Sequence, residues 1–135
     1  MKDSALSYPR GGAAAIPRAF CDAVERFGGT MRTRAPAVAI ERNPESGRWR
    51  VTLEDGAEID ARAAVATTGL RDVDERLVGA QHFPGRDRPS VRTPLPGLYV
   101  CGDGAGGRGI GTELACASAI ECVDALAADG MLGSS

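Results

Sequence analysis

The chain has 135 residues, 16 basic and 18 acidic side chains, a formal net charge of −2 and 43% hydrophobic residues. That length and composition fit one globular domain with a real core, and the near-neutral balance gives no electrostatic footprint for nucleic acid or an anionic membrane. Lys2 is the only lysine, and the arginines are interleaved with acids rather than gathered into a binding patch.

Residues 1–12 are polar and close on Tyr8-Pro9-Arg10-Gly11-Gly12, a loop signal without the apolar stretch of a secretory leader. No segment is long and uncharged enough to span a bilayer, so a cytoplasmic protein is expected. Ile16, Phe20, Val24 and Phe27 then recur at helical spacing, with Pro17 in the first turn and Gly28-Gly29 ending the run. The apolar side of this helix is expected to face the core.

Thr30 to Arg34 reads as a short strand with Met31 and Thr33 on one face, and Pro36 separates it from a second strand over 37–42. Asn43-Pro44-Glu45-Ser46-Gly47 is a turn, after which Trp49, Val51 and Leu53 share one face of a strand whose other side is polar. Asp55-Gly56 is a hairpin turn, and Ala57, Ile59 and Ala61 give the returning strand an apolar face. Residues 37–62 therefore predict a three-stranded antiparallel meander. Ala63 to Thr67 is apolar at consecutive positions, which suits a strand of a central sheet covered on both sides.

Residues 70–95 are the least regular part, with a mixed charge run from Arg71 to Arg76, a possible short helix through Leu70, Val73 and Leu77, and the single histidine, His82. A lone histidine without a paired nucleophile or carboxylate reads as a loop residue. Leu98 to Cys101 is a brief apolar run bounded by Pro96-Gly97 and Gly102, as expected of a strand buried on both faces. A glycine cluster follows at 102, 104, 106, 107, 109 and 111, and then a small-residue helix with Cys116, Ile120, Val123 and Ala127 as its apolar stripe and Gly130 at its C-terminal end.

The four cysteines show no C-x-x-C spacing, and His82 has no cysteine within chelating sequence distance, so no metal site is expected. Three of the four fall at apolar periodic positions, where a thiol acts as a small buried hydrophobe.

The strand, the bare glycine backbone and the helix start make a ligand site in principle. The first N–H groups of a helix lack intrahelical partners and carry the positive end of its dipole, which favours an anionic or carbonyl-bearing ligand. Asp103 beside the turn accepts hydrogen bonds only, and so suits a sugar or polyol hydroxyl better than a phosphate. Gly102-Gly104-Gly107 and Gly104-Gly106-Gly109 each also spell G-x-G-x-x-G, the dinucleotide fingerprint. That fingerprint requires a following parallel strand with a ribose-binding acid about 20 residues on, and Glu121 and Asp124 lie within the helical pattern instead.

The string GLYVCGDGAGGRGIGTELA, residues 97–115, resembles the C-terminal flavin-binding motif of FAD-dependent oxidoreductases of the phytoene desaturase and amine oxidase type. The lead-in YPRGG, a helix and Gly-Gly before a strand resemble the way that family enters its flavin domain. The resemblance implies an α/β fold with a partly parallel central sheet and an antiparallel meander, like the C-terminal half of a Rossmann-like FAD-binding domain. It implies FAD as cofactor, with Gly102, Asp103 and Gly104 near the ribityl and pyrophosphate groups, and Gly109, Ile110, Gly111 and Thr112 facing the isoalloxazine. It also implies a backbone contact to adenine at Ala37, where the family more often has valine.

On this resemblance the chain is one partial FAD-binding domain, with residues 8–69 forming helix, strands and meander, 70–95 a linker and 96–128 the flavin motif. It lacks the family's ADP-holding βαβ unit, so the expected partners are an ADP-binding flavoprotein half or a second copy, with a small-molecule substrate. No acid/base pair or activated nucleophile names a catalytic side chain. Two other readings stand beside it: a non-catalytic remnant or protein-interaction module that keeps the fold, and binding of another nucleotide at the glycine cluster.

Overall fold

The computed structural model describes residues 9–67, 89–102, 104–109 and 111–133, and it divides into two compact units, Met1–Pro36 and Ala37–Ser135. In the first unit, helix α1 spans Ala15–Arg26. Pro17 falls in its first turn, where the missing N–H has no intrahelical partner to lose. Its C-terminus closes as a Schellman motif, with the Gly28 N–H donating to the Glu25 carbonyl at 3.0 Å and the Gly29 N–H to the Val24 carbonyl at 2.8 Å.

The apolar stripe of α1 does not form the expected core. Ile16, Phe20, Val24 and Phe27 are exposed, Phe27 by 87%, and no α1 residue is buried. Among the described residues of its unit, this twelve-residue helix is the one regular element, with no second layer against which to bury a face. The strand expected over Thr30 to Arg34 is also absent: the segment is irregular, and Arg34 takes a left-handed φ of 56°, which breaks the alternation of a strand.

The second unit begins with the predicted meander. Strands β1 (Ala37–Arg42), β2 (Trp49–Leu53) and β3 (Glu58–Ala61) form an antiparallel sheet in the order β1-β2-β3. Asn43 builds the first turn by accepting the Glu45 and Ser46 amides on its Oδ1 at 2.9 and 3.0 Å. Asp55 builds the second by accepting the Ala57 amide at 2.9 Å. Trp49 and Leu53 of β2 are buried, while Arg50 on the wet face pairs across the strand with Glu58 at 3.1 Å and Asp60 at 3.0 Å.

The meander is followed by a second sheet. Strand β4 (Ala64–Ala66) pairs in parallel with β5 (Leu98–Val100), registering Ala64 with Leu98 and Ala66 with Val100, as a separate two-stranded sheet. On its other edge β5 meets 91–93 antiparallel, the Val100 N–H donating to the Val91 carbonyl at 2.9 Å. Flanked on both edges, β5 buries Leu98, Tyr99 and Val100 as predicted. β4 is covered less than expected, with Val65 43% exposed. The Trp49 indole N–H donates to the Pro96 carbonyl at 3.1 Å and ties the meander to the approach of β5.

Helix α2 (Thr112–Ala128) packs on β5. It too ends in a Schellman motif: the Gly130 N–H donates to the Ala127 carbonyl at 3.1 Å and the Met131 N–H to the Leu126 carbonyl at 2.9 Å. Its buried face is Leu114, Ser118, Cys122 and Ala125, whereas the expected stripe of Cys116, Ile120 and Val123 is exposed. The helix is apolar or small nearly all round, so periodicity does not choose a face. Close approach to the glycine loop accompanies the buried side, where Gly107 lies against the Leu114 and Ser118 backbone. Val91, Tyr99, Cys122 and Ala125 form the core cluster, with Cys101, Leu126 and Met131 packed against it. The short helix expected near residue 73, and His82, lie outside the described residues.

Candidate functional site

From Cys101 the chain turns through the glycine cluster into α2, and one buried serine holds that turn. Ser118 is fully buried; its Oγ accepts the Gly102 amide at 3.0 Å and donates to the Ala105 carbonyl in a short hydrogen bond. Both ends of the turn are thus fixed to the same point on α2. Glu121, one residue short of a further turn along the helix, accepts the Gly107 amide at 2.7 Å, and the Gly106 amide donates to the Pro89 carbonyl at 2.8 Å.

Gly107 has to be glycine for packing as much as for conformation. With φ 70°, a Cβ there would stand 2.7 Å from the Ser118 nitrogen and 2.8 Å from the Leu114 carbonyl oxygen. The loop therefore lies directly on the helix backbone. Because the amides of Gly102, Gly106 and Gly107 are all donated within the chain, they are not free to cradle a pyrophosphate as the G-x-G-x-x-G fingerprint requires.

The open backbone is instead at the start of α2. Gly111 is the N-cap, with φ 60° and ψ −128°, no side-chain cap, and nothing within 4 Å of where a Cβ would stand. Gly111, Thr112 and Glu113 are exposed, and the first intrahelical bond runs from the Ala115 N–H to the Gly111 carbonyl at 3.1 Å. The amides that precede it in the helix have no intrahelical acceptors. The Glu113 carboxyl group covers Gly109, its Cδ 2.7 Å from a Cβ placed there. A carboxylate at this point disfavours a phosphate and leaves a neutral, carbonyl-bearing group as the better match for the helix dipole.

The far end of α2 is held by a second polar group. The Tyr99 hydroxyl donates to Asp129 Oδ2 at 2.7 Å, and Arg92 donates to both Asp129 oxygens at 2.9 and 3.1 Å and to the Ala125 carbonyl at 3.3 Å. Burial, then the Asp129 carboxylate, pushes the Tyr99 phenol up to about 12. The Arg92 guanidinium, then the Tyr99 hydroxyl, holds the Asp129 carboxyl below its ordinary value.

Of the residues singled out in the sequence, Gly102, Gly104, Gly109, Gly111 and Thr112 are brought together on this one turn and helix start. Asp103 and Ile110 lie outside the described residues. Ala37 stands exposed at the start of β1, opposite Leu53 of the neighbouring strand β2 in the meander, and no hydrogen bond among the described residues joins it to the glycine loop. Sequence reasoning missed Ser118 and Glu121. The signal that points to Ser118 is its place in the four-residue spacing Leu114-Ser118-Cys122, a polar side chain between two apolar ones on a helix pressed against a loop.

Among the described residues no helix is long and apolar enough to cross a membrane, and no cluster of acidic, histidine or cysteine side chains could hold a metal ion. No protein of curated function matches the chain. Among solved structures, LpdA from Mycobacterium tuberculosis is 21% identical with a TM-score of 0.32, over 87% of this chain and 26% of that one. The chain thus spans about a quarter of that protein's length. The family model described as flavin containing amine oxidoreductase matches residues 1–84, ending before the glycine cluster. That match takes in more than half of the 135 residues, and the chain belongs to the flavin-containing amine oxidoreductase family.

Proposed function

We propose that the chain is the flavin-facing part of an FAD-dependent oxidoreductase acting on a small-molecule substrate, and that an ADP-binding half, in the same or a separate polypeptide, completes it. The observation that carries this reading is the helix start: a bare N-cap at Gly111 and first-turn amides without intrahelical acceptors beside Glu113, in a chain of a flavin-containing family. These features fit a carbonyl-bearing ring and disfavour a phosphate. In this reading the parallel β4–β5 pair and α2 are one unit of a Rossmann-like sheet.

FAD, when bound, would supply the hydride acceptor for a substrate C–H or C–N bond. The chain's own residues bind and orient. The amides of Gly111 and Thr112 would donate to a carbonyl of the flavin, and the absence of a side chain at Gly111 would leave room for it. Asp103, assigned from its place in the motif, accepts hydrogen bonds from sugar or ribityl hydroxyls. Ser118 holds the turn at Gly102 and Ala105 against α2. The test is FAD fluorescence on addition of excess protein, alone and together with an ADP-binding half of the same family: saturable quenching is expected in at least the second case, and unchanged fluorescence in both with a folded chain overturns the reading.

A second reading, an interaction module that keeps the fold without flavin, is favoured by one observation. Ile120 and Val123 stand 65% and 52% exposed on the outer face of α2. An apolar helix face of that kind is usual where a protein partner packs. Concentration-dependent association in sedimentation, unaltered by FAD and abolished by Ile120→Glu, would support it over the first.

A further inference from the structure

The thiols of Cys101 and Cys122 are not used by the reading above, and the fold brings both to one core cluster. Tyr99 and Cys101 lie two residues apart along one strand direction and so share a face. Ser118 and Cys122 lie four apart on α2 and share its buried face. Two hydrogen bonds fix these faces against each other, Gly102 to Ser118 at 3.0 Å on one side and Tyr99 to Asp129 at 2.7 Å on the other. Cys101 and Cys122 fall between the two ties, and Cys101 packs on the core cluster that contains Cys122.

The two differ in access. Cys122 is 2% exposed, whereas Cys101 is half-buried at the mouth of the glycine turn. The Cys122 thiol is pushed up to about 11, first by burial and then by the neighbouring Cys101, so it stays protonated and out of reach of solvent oxidants. Cys21 lies in the other compact unit, and Cys116 is exposed on the opposite side of α2.

We propose that Cys101 and Cys122 are a redox modification site, a dithiol that a peroxide converts to an intramolecular disulfide tying the base of the glycine turn to α2. The Cys101 sulfur attacks one peroxide oxygen; the O–O bond breaks, one water leaves, and Cys101 becomes a sulfenic acid. The Cys122 sulfur then attacks the Cys101 sulfur; the S–O bond breaks, and the hydroxyl leaves as a second water with the Cys122 proton. Hydrogen peroxide is reduced to two waters and the two thiols are oxidised to one disulfide. The site does not depend on the flavin reading, because neither step uses flavin.

The experiment is peroxide treatment of the full chain without flavin, followed by peptide mapping without reduction. A Cys101–Cys122 linked peptide from the monomeric species, released by a thiol reductant, is expected. The same map on a Cys21→Ser, Cys116→Ser background should give the same peptide. In Cys122→Ala, Cys101 should pass instead to sulfinic acid, since no thiol is left to trap the sulfenic acid. A wild-type map in which Cys101 is unmodified or overoxidised and never linked to Cys122 overturns the proposal, and that result needs no variant to fold.

Discussion

Ser118 on α2 accepts the Gly102 amide at 3.0 Å and in turn donates to the Ala105 carbonyl, so one buried hydroxyl closes the turn that joins β5 to α2. Ser118→Ala leaves a donor and an acceptor of that turn unsatisfied, and should lower stability in urea by about 1–3 kcal/mol. Ser118→Cys, which keeps the size and part of the hydrogen-bonding capacity, should lose less. Equal losses would mean that the hydroxyl only fills space.

Gly107 and Gly111 both have positive φ but differ in what surrounds them. Gly111→Ala meets open space, so its cost is backbone strain alone, about 1–3 kcal/mol. Gly107→Ala carries the same kind of strain and also drives a methyl into the backbone of α2, adding about 1–3 kcal/mol of overpacking. Chemical denaturation of the pair should therefore rank Gly107→Ala as the more destabilising. The reverse ranking would contradict the seating of the loop on the helix.

The clasp at the other end of α2 predicts a pH dependence with two limbs. The folded-state pKa of Tyr99 is raised from 10.0 to about 12, so the folded chain holds that proton more tightly than the unfolded one. Its contribution is fully present below pH 10.0 and is lost as pH rises toward about 12. The Asp129 pKa is lowered from 3.8, so its contribution is present at neutral pH and is lost as pH falls through that lowered value. Thermal melts across pH should show Tyr99→Phe flattening the alkaline limb and Asp129→Asn the acid limb.

Trp49 bridges the meander and the approach to β5 through its bond to the Pro96 carbonyl. Trp49→Phe removes that bond and should cost about 1 kcal/mol. Trp49→Ala also opens a cavity between the two sheets and should cost about 3–5 kcal/mol.

The parts of this fold legible in the sequence are those where pattern and environment agree. The meander is read from Trp49, Val51 and Leu53 alternating with polar residues between two turn clusters, and its turns form through the side chains of Asn43 and Asp55. β5 is read from three consecutive apolar residues, and it is covered by β4 on one edge, the 91–93 segment on the other and α2 above. The buried side of α2 is not legible, since Ile120 and Val123 look like core, and only contact with Gly107 reveals that the small Ser118 side must face inward. For α1 the helix is legible and its burial is not: periodicity marks Phe20 and Phe27 as one face without saying what covers them. The cluster of glycines locates the candidate site, but which amides remain free depends on Ser118, Glu121 and Pro89, none of which the glycine spacing reports.

The central claim is flavin recognition at the start of α2, and calorimetric titration of the chain with FAD tests it most directly. Saturable binding is expected, weakened about tenfold or more by Asp103→Ala, the loss of a charge-assisted hydrogen bond. No saturable binding by the chain either alone or together with an ADP-binding half, its folding verified by circular dichroism, or binding unchanged in Asp103→Ala, would contradict it.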